Sequence, residues 1–207
     1  SLNMEHLHDW LSQLAKKGYE IPERHLNIYN HVDAKGRLTQ QTDLGEFLDT
    51  PALYRAEDSD TAYIAEAAMD YIRIRAGEEW FMHLVFFKPH PPLIAPAGFN
   101  DLINWRDVPL PVRGLTLETE ATTHRLVKWW HTLVAEPAYF GCQRSMLAMS
   151  EDETRKAIAV YLGLVAEVDH QMGRIIKLLK DTGQYDDTLI LFTSDHGEEL
   201  GSHHLWG

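Results

Sequence analysis

Asp195 and His196 stand side by side where the apolar run from Thr188 to Thr193 stops, and Gly197 follows at once. A carboxylate offers hard oxygen and an imidazole a borderline nitrogen, so the pair suits a divalent ion such as zinc or manganese. Two ligands do not complete a site. A catalytic ion needs one or two more and an open position for a substrate oxygen. The same Asp-His-Gly also suits a turn aspartate beside a surface histidine, and spacing alone does not separate the two. A second chemical candidate is His90, set in Lys88-Pro89-His90-Pro91-Pro92. Three prolines fix φ there and push the residues before them to extended conformations, so the imidazole has little freedom to lose. Chemistry alone allows His90 to give a proton or hydrogen bond to a reacting oxygen. It equally allows a histidine hydrogen-bonded inside a rigid turn. Lys88, on the same corner, is expected to face solvent.

Both candidates need elements that bring them to one place. Thr188 to Thr193 reads as a short strand buried on both faces of a mostly parallel sheet, and Glu79 to Phe87 as a second buried strand ending at the proline corner. Open α/β sheets place their ligand crevice at the carboxyl ends of such strands. Helical periodicity runs over Met4 to Lys17, from Ser59-Asp60 to about Gly77, and from Glu151 to Lys180; a weaker period covers Glu120 to Val134. Tyr19 to Thr50 and Ala97 to Ser150 are otherwise irregular, the first with a short hairpin. The expected fold class is therefore α/β, with Gly197 turning the chain after the last strand and Gly173 permitting close helix packing.

Composition excludes several classes. The chain has 207 residues and a formal charge of -12, which argues against a nucleic-acid partner because no basic excess is available to replace counterions. A lone cysteine, Cys142, rules out an internal disulfide framework. No apolar run approaches the roughly 20 residues that span a bilayer, and no basic segment leads an apolar one at the start. These features point to a cytoplasmic, soluble protein with no membrane partner. The chain opens on Ser1-Leu2 rather than Met, which suggests an internal start. Asp169-His170 looks like a ligand pair, but neighbours on a helix point about 100° apart, so a structural role is expected. His6, His8, His25 and His31 are assigned none.

The run Phe192-Thr-Ser-Asp-His-Gly-Glu-Glu-Leu-Gly-Ser-His-His-Leu-Trp-Gly207 resembles the metal-ligand motif of the sulfatase and phosphonate monoester hydrolase family, within the alkaline phosphatase superfamily. Phe86-Phe-Lys-Pro-His-Pro-Pro-Leu-Ile-Ala-Pro96 is similar to a second family segment, and Val168-Asp-His-Gln-Met-Gly173 to a third. The resemblance covers roughly Thr61 to Gly207, with gaps. It departs at Ser202, where the family usually has Asp, and at His204, where it often has Gly.

Carried over by position, the resemblance implies Asp195 and His196 as metal ligands and His90 as the histidine facing the leaving group. It implies a divalent manganese, zinc or calcium ion, an anionic sulfate, phosphate or phosphonate ester as substrate, and leaves a homo-oligomer open. A family lysine that contacts the transferred group is expected immediately past Gly207. The formylglycine nucleophile is expected in a parent protein and not in this chain, since Cys142-Gln-Arg-Ser145 lacks the family's Cys-x-Pro-x-Arg or Cys-x-Ala-x-Arg form. Cys142 then reads as an ordinary half-buried thiol. The implied architecture for residues 1–207 is a single partial alkaline-phosphatase-like, sulfatase-like domain, a sheet flanked by helices with long irregular loops. The strands bearing the first metal ligands and the nucleophile are absent from it, and the isolated chain is expected to be inactive. Two alternatives stand beside this: a non-catalytic binding or assembly module that keeps the fold, and a small metal-binding domain using His196, His203 and His204.

Overall fold

The structure, a computed structural model, describes residues 5–30, 32, 35–38, 50–135 and 145–207. Four helices organise it: α1 (Glu5–Lys16), α2 (Asp60–Ile74), α3 (Arg125–Ala135) and α4 (Glu151–Asp181). Their ends are set by local chemistry. Ser59 caps α2 by accepting from the Ala62 amide, and Ser150 forms a reciprocal capping box with Glu153 at the start of α4. Acidic Glu151, Asp152 and Glu153 in the first turn of α4 and Lys180 in its last complement the helix dipole.

Two apolar clusters follow from the helical stripes. The larger joins Trp10, Leu11 and Leu14 of α1 to Ile28, Tyr29, Tyr54, Leu93, Ile94 and the Ala157, Val160 and Leu164 face of α4, and buries Trp206. The smaller packs Ala65, Ala68, Met69 and Ile72 of α2 against Ile175 and Leu179 of α4. Gly163 is where α4 meets the 96–100 turn: a Cβ there would sit 2.0 Å from the Phe99 carbonyl oxygen. The close approach predicted for Gly173 is not seen, since nothing lies within 4 Å of its Cβ position.

The expected sheet is not formed: among the described residues there is no strand, only a single antiparallel bridge between Val32 and Leu38. That bridge lies where a short hairpin was expected. The segment 79–87 does alternate as a strand would, with Trp80, Met82, Leu84 and Phe86 on the smaller cluster and Phe81 and Val85 outward. Thr188 to Thr193 is likewise not buried on both faces, for Leu189 is 86 % and Leu191 84 % exposed. Neither segment has a hydrogen-bonding neighbour strand among the described residues; 79–87 covers one face on the smaller cluster, while Leu189 and Leu191 are left exposed. The two segments nevertheless run in one direction. Trp80 Nε1 donates to Gln184 Oε1 at 3.3 Å near their beginnings, and His90 and His196 lie together near their ends. No helix among the described residues is long and apolar enough to cross a membrane.

Candidate active site

The three residues singled out by sequence do come together at the ends of these two segments. The His90 and His196 rings are 6.2 Å apart, centroid to centroid, at a steep 72°. Each imidazole has a fixed tautomer, because in each case Nδ1 faces a carbonyl, which can only accept. His90 Nδ1 donates to the Pro91 carbonyl at 2.7 Å, and His196 Nδ1 donates to the Gly197 carbonyl at 3.0 Å. Both neutral rings therefore carry the proton on Nδ1 and leave the Nε2 lone pair free. A metal-binding histidine is commonly oriented in this way by a carbonyl behind it.

Asp195 Oδ2 lies 3.9 Å from His196 Nε2, while its Oδ1 accepts from the His196 amide at 3.0 Å. One ion with ordinary bonds of roughly 2.0–2.2 Å can span the first distance. The Asp195 side chain is 90 % exposed, so its lone pairs are open to a ligand. The donor chemistry fits a divalent ion, but only as part of a coordination set. Among the described residues no group of three or more His, Cys, Asp or Glu side chains could hold a metal. The backbone hydrogen bond to Gly197, with Asp195 beside it, raises the His196 pKa above its ordinary value.

Glu198, two residues past His196, was given no role by the sequence. Burial pushes its carboxyl up, and the charges of His90 and His196 partly offset this. Its Oε2 is buried without a hydrogen-bond partner. The loop beyond is braced from elsewhere. Gly201 sits at φ +91, and a Cβ there would lie 2.8 Å from the Arg113 guanidinium; this residue, rather than Gly197, is the left-handed glycine of the loop. Arg113 Nε donates to the Gly201 carbonyl at 2.8 Å. His203 Nδ1 meets Glu120 Oε1 at 3.1 Å, and His204 Nε2 donates to the Leu115 carbonyl at 3.1 Å. His203 and His204 are thus engaged away from His196, which removes the basis for a metal domain built on those three histidines.

Lys88 does not face solvent: it is 3 % exposed, beneath the corner that carries His90. Asp169 and His170 are neighbours on α4, and His170 lines a cavity of about 490 Å³ with Trp10, Lys17, Asp58 and Arg174. Burial alone would raise Asp58 there, but hydrogen bonds from Lys17 and Tyr19 leave its carboxyl below the usual range. Cys142 and His31 lie outside the described residues.

The sulfatase family model matches residues 5–207, nearly the whole chain and well beyond the Thr61 start read from motifs. The chain belongs to the sulfatase family. It is 36 % identical over 206 residues to the multifunctional alkaline phosphatase superfamily protein PehA of Trinickia caryophylli, covering 99 % of this chain and 38 % of that protein. An arylsulfatase of Clostridium perfringens is 26 % identical over 176 residues, covering 83 % of this chain and 34 % of that one. Among solved structures, the phosphonate monoester hydrolase of Silicibacter pomeroyi superposes with a TM-score of 0.83 at 39 % identity, over 97 % of this chain and 38 % of that one. The phosphonate monoester hydrolase of Agrobacterium radiobacter gives the same TM-score at 31 % identity, over 98 % and 38 %. The fold is thus that of sulfatase and phosphonate hydrolase relatives, and the chain spans under two fifths of the length of these proteins.

Proposed function

We propose that this chain supplies one side of the active site of a metal-dependent hydrolase of sulfate, phosphate or phosphonate esters. Asp195 and His196 would hold part of a divalent metal site, and His90 would serve the leaving group. The metal, when bound, supplies Lewis acidity toward an ester oxygen. What supports the reading most is the pairing of His90 with His196, two rings 6.2 Å apart, each with Nδ1 tied to a carbonyl and Nε2 left free. His196 offers its lone pair to an ion. His90, once protonated, can give its Nε2 proton to a departing oxygen, with the Pro91 carbonyl holding the other N–H.

Further metal ligands and the nucleophile would have to come from outside the described residues. The test uses the whole protein that carries this chain, with manganese or zinc and nitrophenyl sulfate, phosphodiester and phosphonate esters. Asp195→Ala and His196→Ala should each lower metal-dependent turnover by orders of magnitude, with circular dichroism unchanged. Near-normal turnover in either variant would refute the assignment.

A further inference from the structure

Lys88 is the least expected residue of the fold. Its ammonium lies inside the protein, 4.7 Å from the Tyr29 ring centroid and 5.7 Å from that of Phe87, and donates to the Pro92 carbonyl at 3.0 Å. Isolated buried charges are costly, and those that persist are paired. Here the balance comes from two acids on separate helices, Asp60 at the start of α2 and Glu167 in the middle of α4, which are 7 % and 1 % exposed. Burial lowers the Lys88 pKa, and both acids act to raise it again. Tyr29 OH donates to Asp60 Oδ2 at 2.9 Å, so the aromatic face under the ammonium is itself tied to one of the acids.

The other end of this network is the site. The Phe87 ring lies 4.8 Å from the His90 ring, and the Phe87 carbonyl accepts from the His90 amide at 3.1 Å. The Pro92 carbonyl gripped by Lys88 also accepts from the Ile94 amide at 2.8 Å. The Pro91 carbonyl and the Pro92 nitrogen share a peptide unit and the Pro92 ring fixes φ, so holding the Pro92 carbonyl restricts the direction of the Pro91 carbonyl to which His90 Nδ1 donates.

We propose that Lys88 is a positioning residue for His90. Its buried ammonium, held on the Pro92 carbonyl and over the Tyr29 ring, fixes the 87–92 corner so that His90 keeps Nδ1–H on the Pro91 carbonyl and presents Nε2 to the site. The inference deepens the reading of His90 as a proton donor, yet its geometry can be tested without turnover.

The test is long-range proton–nitrogen NMR of the whole protein labelled with nitrogen-15 histidine, at a pH where His90 is neutral. In the native protein His90 is predominantly the Nδ1–H tautomer. In Lys88→Met the Nε2–H tautomer, usual for a free imidazole, becomes the majority, while His131, which donates from Nε2 to the His203 carbonyl, is unchanged. An Ile72→Ala control in the smaller cluster lowers the melting temperature and leaves the His90 tautomer alone. Persistence of the Nδ1–H form in Lys88→Met, or an equal shift in Ile72→Ala, overturns the proposal. Should Lys88→Met not fold, Glu167→Gln is measured instead: an Nε2–H population at least twice the native one is expected, and no change overturns it. If the wild-type protein hydrolyses no ester, the functional reading fails while this readout still decides the role of Lys88.

Discussion

Glu167 makes the stability of this fold depend on pH in a direction that can be worked out. It is 1 % exposed in the middle of α4, and its pKa rises from 4.5 to about 7, mainly through burial. The Ser59 hydroxyl pulls it back, the charge of Asp60 adds to the rise, and Lys88 and Thr61 oppose it. In the unfolded chain the carboxyl ionises freely at its ordinary value. A raised folded-state pKa means that the native state binds the proton more tightly, so the contribution is fully present below pH 4.5 and is lost as pH rises through 7. At 1.36 kcal/mol per pKa unit the loss is on the order of 3 kcal/mol, most of it between pH 5 and 8. Glu167→Gln keeps the shape and removes the titration. Urea unfolding followed by tryptophan fluorescence, run on both proteins at pH 5 and pH 8, compares two chains that differ in this one ionisable group. The stability difference, variant minus wild type, should rise by a few kcal/mol from pH 5 to pH 8. A difference constant within half a kcal/mol would refute the assignment of a raised Glu167 pKa.

Other consequences follow from local geometry. Gly163→Ala should destabilise by about 1–3 kcal/mol in urea, because its Cβ would meet the Phe99 carbonyl, a backbone atom that cannot swing aside; unchanged stability would mean that α4 and the 96–100 turn are not in contact. Ser150→Ala should cost about 1 kcal/mol by opening the capping box with Glu153, read as a lower urea midpoint with an unchanged slope. Gly201→Ala should lower the melting temperature, since it combines a left-handed φ of +91 with a clash at Arg113; a neutral result would contradict the bracing of this loop.

How much of this could be read from sequence depended on whether the signal was local. The α1, α2 and α4 helices were legible because their stripes repeat over several turns and Ser59 marks the start of α2. Asp195, His196 and His90 were singled out by motif, rigidity and family resemblance, and the fold places them together. Lys88 was misread because a lysine beside prolines looks solvated, and its counter-charges lie on two distant helices that only packing brings near. Apolar runs suggested buried strands, but burial needs neighbours that no local pattern supplies, and Leu189 and Leu191 are exposed. Gly163 and Gly173 look alike within one helix, and only the tertiary approach of Phe99 separates them. Glu198 lies two residues past His196, and nothing in that spacing showed that its Oε2 is buried without a hydrogen-bond partner.

The central claim is that Asp195 and His196 share one ion opposite His90. Crystals of the whole protein grown with manganese, measured on both sides of the manganese absorption edge, test it directly. The account predicts a single strong anomalous peak within about 2.2 Å of Asp195 Oδ2 and of His196 Nε2, on the side facing the His90 ring. A peak at another cluster, such as Glu120 and His203, with none between Asp195 and His196, would contradict it.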